Sequence, residues 1–170
     1  MIAKTETYRR FEQLERNMAL IYLRMHRRFI ENPPLASFWM HAALDEVQHA
    51  SILRFCRENH AFALKDLSAG AAERIEDLMA SVSAVFGRQD LTLKEAFYAA
   101  LLMEASELDD VYAGLTSGLA DCYPEIYKNV QNQISRHHEH FAAAAEQFAQ
   151  DDAECVARAN LAQRQAANDG

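Results

Sequence analysis

Residues 35–59 read LASFWMHAALDEVQHASILRFCREN, with neither glycine nor proline to interrupt them. Phe38/Trp39, Ala42/Ala43, Ala50 and Leu53 recur at the 3.6-residue spacing that puts apolar side chains on one stripe of a helix. Glu46 falls in the middle of that stripe, and His49 stands one turn further along. No lysine or arginine lies between Leu35 and Leu53 to neutralise the carboxylate.

Three other stretches repeat this pattern. From about Thr5 to Glu31 the stripe is Tyr8, Phe11, Met18, Tyr22, Met25 and Phe29, interrupted by Glu15. From Leu91-Thr92 to about Ala120 it is Leu93, Phe97, Ala100, Val111 and Leu115, interrupted by Glu104 and Glu107, with no basic residue between Lys94 and Ala120. From Pro124 to about Gln150 it is Val130, Ile134, Phe141, Ala145 and Phe148, interrupted by His137 and His140. Pro33-Pro34 closes the first segment, and Gly70 and Gly87 bracket a shorter helix over Ala71 to Val85. Rods of roughly 25 residues are about 37 Å long. The spacing therefore predicts an all-α four-helix bundle over residues 1–150, with one long crossover carrying the short helix between the second and third rods. Residues 151–170 form a polar, Ala-rich tail expected to be helical or partly disordered.

Composition agrees with helices. Five glycines and three prolines in 170 residues are roughly 5%, where an average chain carries about 12%, too few for the turns of a sandwich or barrel. Hydrophobic residues make up 50% and charged residues 25%, which argues against disorder. A formal charge of −8 argues against a nucleic-acid partner. No run approaches the ~20 apolar residues of a membrane span. Cys56, Cys122 and Cys155 form no C-x-x-C pair, so a reducing, cytoplasmic setting is expected and a rubredoxin-type iron site is not.

Burying several unpaired carboxylates costs many kcal/mol unless protons, cations or metals compensate. With no basic partner on these faces, a metal cation is the economical counter-charge. The i, i+3 spacing of Glu46 and His49 places both on one helix face, as ligation from a helix requires. Each residue also has a plainer reading. His26, His41 and His60 read as hydrogen-bonded or surface residues, and His138, Glu139, Asp109 and Asp110 as solvent-facing ones. Gly114 and Gly118, four apart, either permit close helix approach or mark a fraying terminus. The coincidence in height across four helices favours the metal.

In these residues the chain resembles the rubrerythrin-type branch of the ferritin-like di-iron carboxylate proteins, over roughly Thr5 to Gln150. That family carries a Glu on each of two helices and Glu-x-x-His on each of the other two. The resemblance implies metal ligands at Glu15, Glu46, His49, Glu104, Glu107 and His140, with Tyr22 and Tyr112 bonding the carboxylates from behind. His137 is expected among the metal ligands as well, although it departs from the family pattern by standing where the family has a bridging Glu. The resemblance further implies two iron ions (zinc or manganese as alternatives), reduction of peroxide or dioxygen, a separate electron donor and a homodimer. A second reading is a non-catalytic bundle, mononuclear or zinc-loaded, for storage, sensing or interaction. A third is a metal-free interaction module, in which Glu46→Leu would stabilise the fold. Two divalent ions would take the charge from −8 to −4, so part of the acidity would lie inside the protein.

Overall fold

The computed structural model describes residues 2–63, 70–104 and 107–148. Seven helices account for the regular structure among the described residues: α1 (Ile2–Arg28), α2 (Pro33–Glu58), α3 (Ala71–Phe86), α4 (Leu93–Glu104), α5 (Glu107–Thr116), α6 (Leu119–Cys122) and α7 (Pro124–Phe148). The chain is all-α, as expected. The tail at 151–170 lies outside the described residues. No described helix is long and apolar enough to cross a membrane.

Local chemistry explains the boundaries. Pro33 and Pro34 open α2 instead of merely closing the first segment. Proline is tolerated in the first turn, where its missing N–H would have no partner. The Asn32 side chain caps that turn by accepting from the Leu35 N–H at 3.3 Å. α2 ends with His60 at φ 56°, while the Ala61 N–H reaches back to the Cys56 carbonyl at 2.9 Å. This is a helix stop with a left-handed residue, made here by histidine where glycine is usual. Thr92 and Glu95 form a reciprocal capping box at the start of α4: the Glu95 carboxylate accepts from the Thr92 N–H at 2.9 Å, and Thr92 Oγ1 accepts from the Glu95 N–H at 3.2 Å. The third rod expected from 91 to 120 corresponds to α4, α5 and α6, with a turn at Ser117–Gly118 before α6.

A connection of four residues makes α1 and α2 antiparallel neighbours, and they share the most extensive contact among the described helices. α7 packs against α2, α4, α5 and α6, and α3 lies against α1, α4 and α5. Arg10 of α1 holds α3 through Glu73 at 3.0 Å and Glu76 at 2.6 Å. Arg28 binds the carbonyls of Arg88, Gln89 and Leu91, fixing the entry to α4. The core is aromatic on one side: Phe38 stacks on Phe97 with centroids 5.2 Å apart, Trp39 lies 5.6 Å from Tyr22, and Phe141 lies 5.1 Å from Phe38.

The apolar stripes hold up almost residue by residue, with Phe29, Leu93 and Phe148 only partly buried. One surface assignment does not hold. His138 is 8% exposed and belongs to the interior. α7 is contacted from both the α2 and the α4–α5 sides, so it buries a wider arc than a single stripe.

Candidate metal centre

Five ionisable side chains from four helices meet inside the protein. Glu15 comes from α1, Glu46 and His49 from α2, Glu104 from the last turn of α4 and His137 from α7, and none is more than 7% exposed. Each interrupts an apolar stripe, so the burial that forms the core also carries these groups inward.

Glu46 is the hub. Its Oε2 lies 3.0 Å from His49 Nδ1, and its Oε1 lies 3.5 Å from His137 Nε2. His49 Nδ1 is also 3.8 Å from Glu15 Oε2, a buried oxygen without a hydrogen-bond partner. On the other side His137 Nε2 meets Glu104 Oε2 at 2.8 Å, and Tyr22 donates its hydroxyl to Glu104 Oε1. The ligand atoms therefore fall into two sets, Glu15/Glu46/His49 and Glu46/Glu104/His137, each within 4.8 Å, with Glu46 common to both. Two carboxylates and one imidazole in each set suit a divalent transition ion.

A contrast nearby shows how the chain treats an ordinary buried carboxylate. Glu12, 9% exposed, is paired with Arg16 at 3.0 Å and Arg57 at 3.1 Å. The ion-pair partners of Glu15, Glu46 and Glu104 are instead His49 and His137. Imidazole can yield its proton to a metal, whereas guanidinium cannot.

Burial pushes the Glu46 carboxyl up to about 8, partly countered by His49 and His137. For His49, burial alone would lower the value, but the charges of Glu46 and Glu15 outweigh it and raise the imidazole to about 10. His137 is raised for the same reason, with Glu104 and Asp45 overcoming burial. Glu104 is lowered because His137 and Tyr22 outweigh its burial. Groups raised in the folded state contribute stability that is fully present below their unfolded values and is lost as pH rises through the folded ones. That window is 4.5 to about 8 for Glu46 and 6.5 to about 10 for His49. Glu104 acts in the opposite sense, losing its contribution only in acid. Chelator-treated protein is therefore expected to lose roughly 5 °C or more in Tm between neutral pH and pH 10. Protein given a divalent ion, whose binding displaces those protons, should lose much less. Thermal melts across that range, with and without chelator, check this.

Asp45 is the residue that sequence reasoning passed over. It accepts from His137 Nδ1 at 3.0 Å, and burial of its carboxylate is outweighed by His137, which holds its pKa below the ordinary value. With Nδ1 held, Nε2 is the nitrogen turned toward Glu104 and Glu46. A carboxylate behind a ligand imidazole fixes its orientation and raises its basicity. The only trace in the sequence is adjacency to Glu46, which does not reveal a partner on α7. Asp45→Asn is expected to weaken metal binding by roughly 10–100-fold, measured by competition with a chromophoric chelator.

The remaining sequence candidates divide. Tyr22 bonds Glu104. Tyr112 lies with its ring against His49, centroids 4.4 Å apart. His140 is half-buried and does not join either set; its ring faces Phe38 and His41. The side chains of Glu107, Asp109 and Asp110 lie outside the described residues. His26 bonds the Ala36 carbonyl at 2.9 Å, as a structural histidine does. Comparison of the chain with protein-family models, with curated proteins and with solved structures gives no significant match.

Proposed function

We propose that this chain is a metal-dependent protein of the di-iron carboxylate type. In this reading α1, α2, the α4–α5 line and α7 are the four rods of a ferritin-like bundle, and α3 rides on the crossover. The observation that carries it is Glu46, whose two oxygens face two different imidazoles and complete two ligand sets at once. Glu15, Glu46 and His49 would hold one ion, and Glu46, Glu104 and His137 the other. The orphaned Glu15 oxygen is the kind of buried atom that a cation would satisfy.

Bound iron would supply one-electron steps between its ferrous and ferric states, suited to reducing peroxide or dioxygen with electrons from a separate donor. The chain's own contribution is positioning and charge. Asp45 fixes the tautomer of His137, Tyr22 orients Glu104 by donating its hydroxyl, and the Tyr112 ring restricts His49. The aromatic layer beside Tyr22 keeps water from that flank.

The test is to load chelator-treated protein anaerobically with Fe²⁺, count metal, and admit peroxide. Ferric absorption that dithionite bleaches is the expected result. Failure to retain Fe²⁺, Zn²⁺ or Mn²⁺ would overturn the proposal. A second reading, a zinc or mononuclear protein without turnover, is favoured by His137, since an imidazole cannot bridge two ions as a carboxylate does. In that case His137→Glu should raise occupancy of the second position.

A further inference from the structure

His41, Asp45 and His140 remain outside the two buried ligand sets, and all three line one hollow of about 750 Å³ between α2 and α7. His137 also lines it, so the hollow adjoins the buried centre. The rings of His41 and His140 are 5.6 Å apart. Two imidazoles sharing a tetrahedral ion, with metal–nitrogen bonds of about 2.0–2.1 Å, would have ring centres roughly 5.2 Å apart. Asp45 commits Oδ2 to His137, which leaves Oδ1 for a ligand in the hollow. Gln133 also lines it, and its Oε1 is buried without a hydrogen-bond partner. Arg136 and Glu139, of opposite charge, also line it.

We infer that this hollow is a separate outer site for a divalent transition ion, held by His41, His140 and Asp45, with Gln133 Oε1 as the oxygen donor beside them. Its ligand atoms do not converge as tightly as those of the buried sets. His41 is exposed, so its ring can turn to close on an ion without disturbing the core. Two imidazoles and one carboxylate select zinc, ferrous iron or a similar ion over calcium or magnesium, which prefer all-oxygen shells. Asp45 touches both the hollow and His137, so a variant at Glu46, which lies outside the hollow, separates the two sites.

Equilibrium dialysis of chelator-washed protein against Zn²⁺ alone tests it, using Glu46→Gln to remove the buried sets. Glu46→Gln should still bind one zinc per chain, and adding His41→Ala or His140→Ala should weaken that ion by at least tenfold. His41→Ala alone should leave the melting temperature of the metal-free protein unchanged, because the side chain is exposed. Equal zinc binding by Glu46→Gln with and without His41→Ala would overturn the outer site. Equal zinc content in wild type and Glu46→Gln would instead count against the buried centre, so the two failures are distinguishable.

Discussion

Glu46→Gln is expected to empty both halves of the proposed centre together. Glutamine keeps the shape of the side chain but lacks the charge that a cation needs, and Glu46 is the one residue common to both ligand sets. Buried-centre content should fall from about two ions per chain to nearly none, whereas Glu15→Gln and Glu104→Gln should each leave about one, because metal binding draws on deprotonated ligands that each of those variants removes from one set only. The metal-free variant should not unfold. It should still melt lower than metal-free wild type, because His49 and His137 lose the carboxylate that they face, and removing one partner of a buried pair costs stability. Elemental analysis and thermal melts of the same preparations separate the effects: metal lost with the apo fold intact is the expected outcome. If Glu46→Gln kept as much buried metal as Glu15→Gln, the shared role of Glu46 would fail.

Glu15, Glu46, Glu104 and His137 were legible in the sequence for one physical reason. A charged residue inside a regular apolar stripe has no way to face water without turning the whole stripe outward. Periodicity therefore reports burial, and burial reports the need for a partner. It does not report rotation between helices. His137 and His140 are three residues apart and share a stripe, yet His137 enters the centre while His140 faces Phe38 and His41 at the rim. That difference is set by how α7 is turned against α2, which no pattern within α7 encodes. Asp45 escaped notice on the same ground, since its partner lies on another helix. His138 was misplaced because the width of a buried arc depends on how many neighbours a helix has.

Gly118→Ala is expected to be strongly destabilising, because the added methyl meets the main chain of another segment. The paired glycines near the end of the third rod suggested a helix–helix contact, but the structure assigns them unlike surroundings. A Cβ at Gly118 would sit 2.5 Å from the Phe62 carbonyl oxygen and 2.6 Å from that of Ala61, both main-chain atoms, whereas one at Gly114 would meet nothing within 4 Å. The 61–63 segment cannot easily retreat. Ala61 is tied to Cys56 at 2.9 Å, and the Ala63 N–H donates to the Tyr8 hydroxyl at 2.8 Å. Tyr8 in turn donates to the Leu115 carbonyl at 2.6 Å, clamping the segment to the end of α5, and its burial pushes the phenol up to about 12. Overpacking against a fixed backbone costs about 1–3 kcal/mol and can exceed that, so Tm should fall by roughly 5–10 °C for a chain of this size. Gly114→Ala, exposed in the last turn of α5, should instead be neutral or stabilise by up to about 1 kcal/mol. Tyr8→Phe removes the clamp but adds no atom, and should cost about 1–3 kcal/mol through the unmet Ala63 N–H and Leu115 carbonyl. Melting the three variants side by side decides the matter: a silent Gly118→Ala would mean that α5 and α6 do not close on the 61–63 segment.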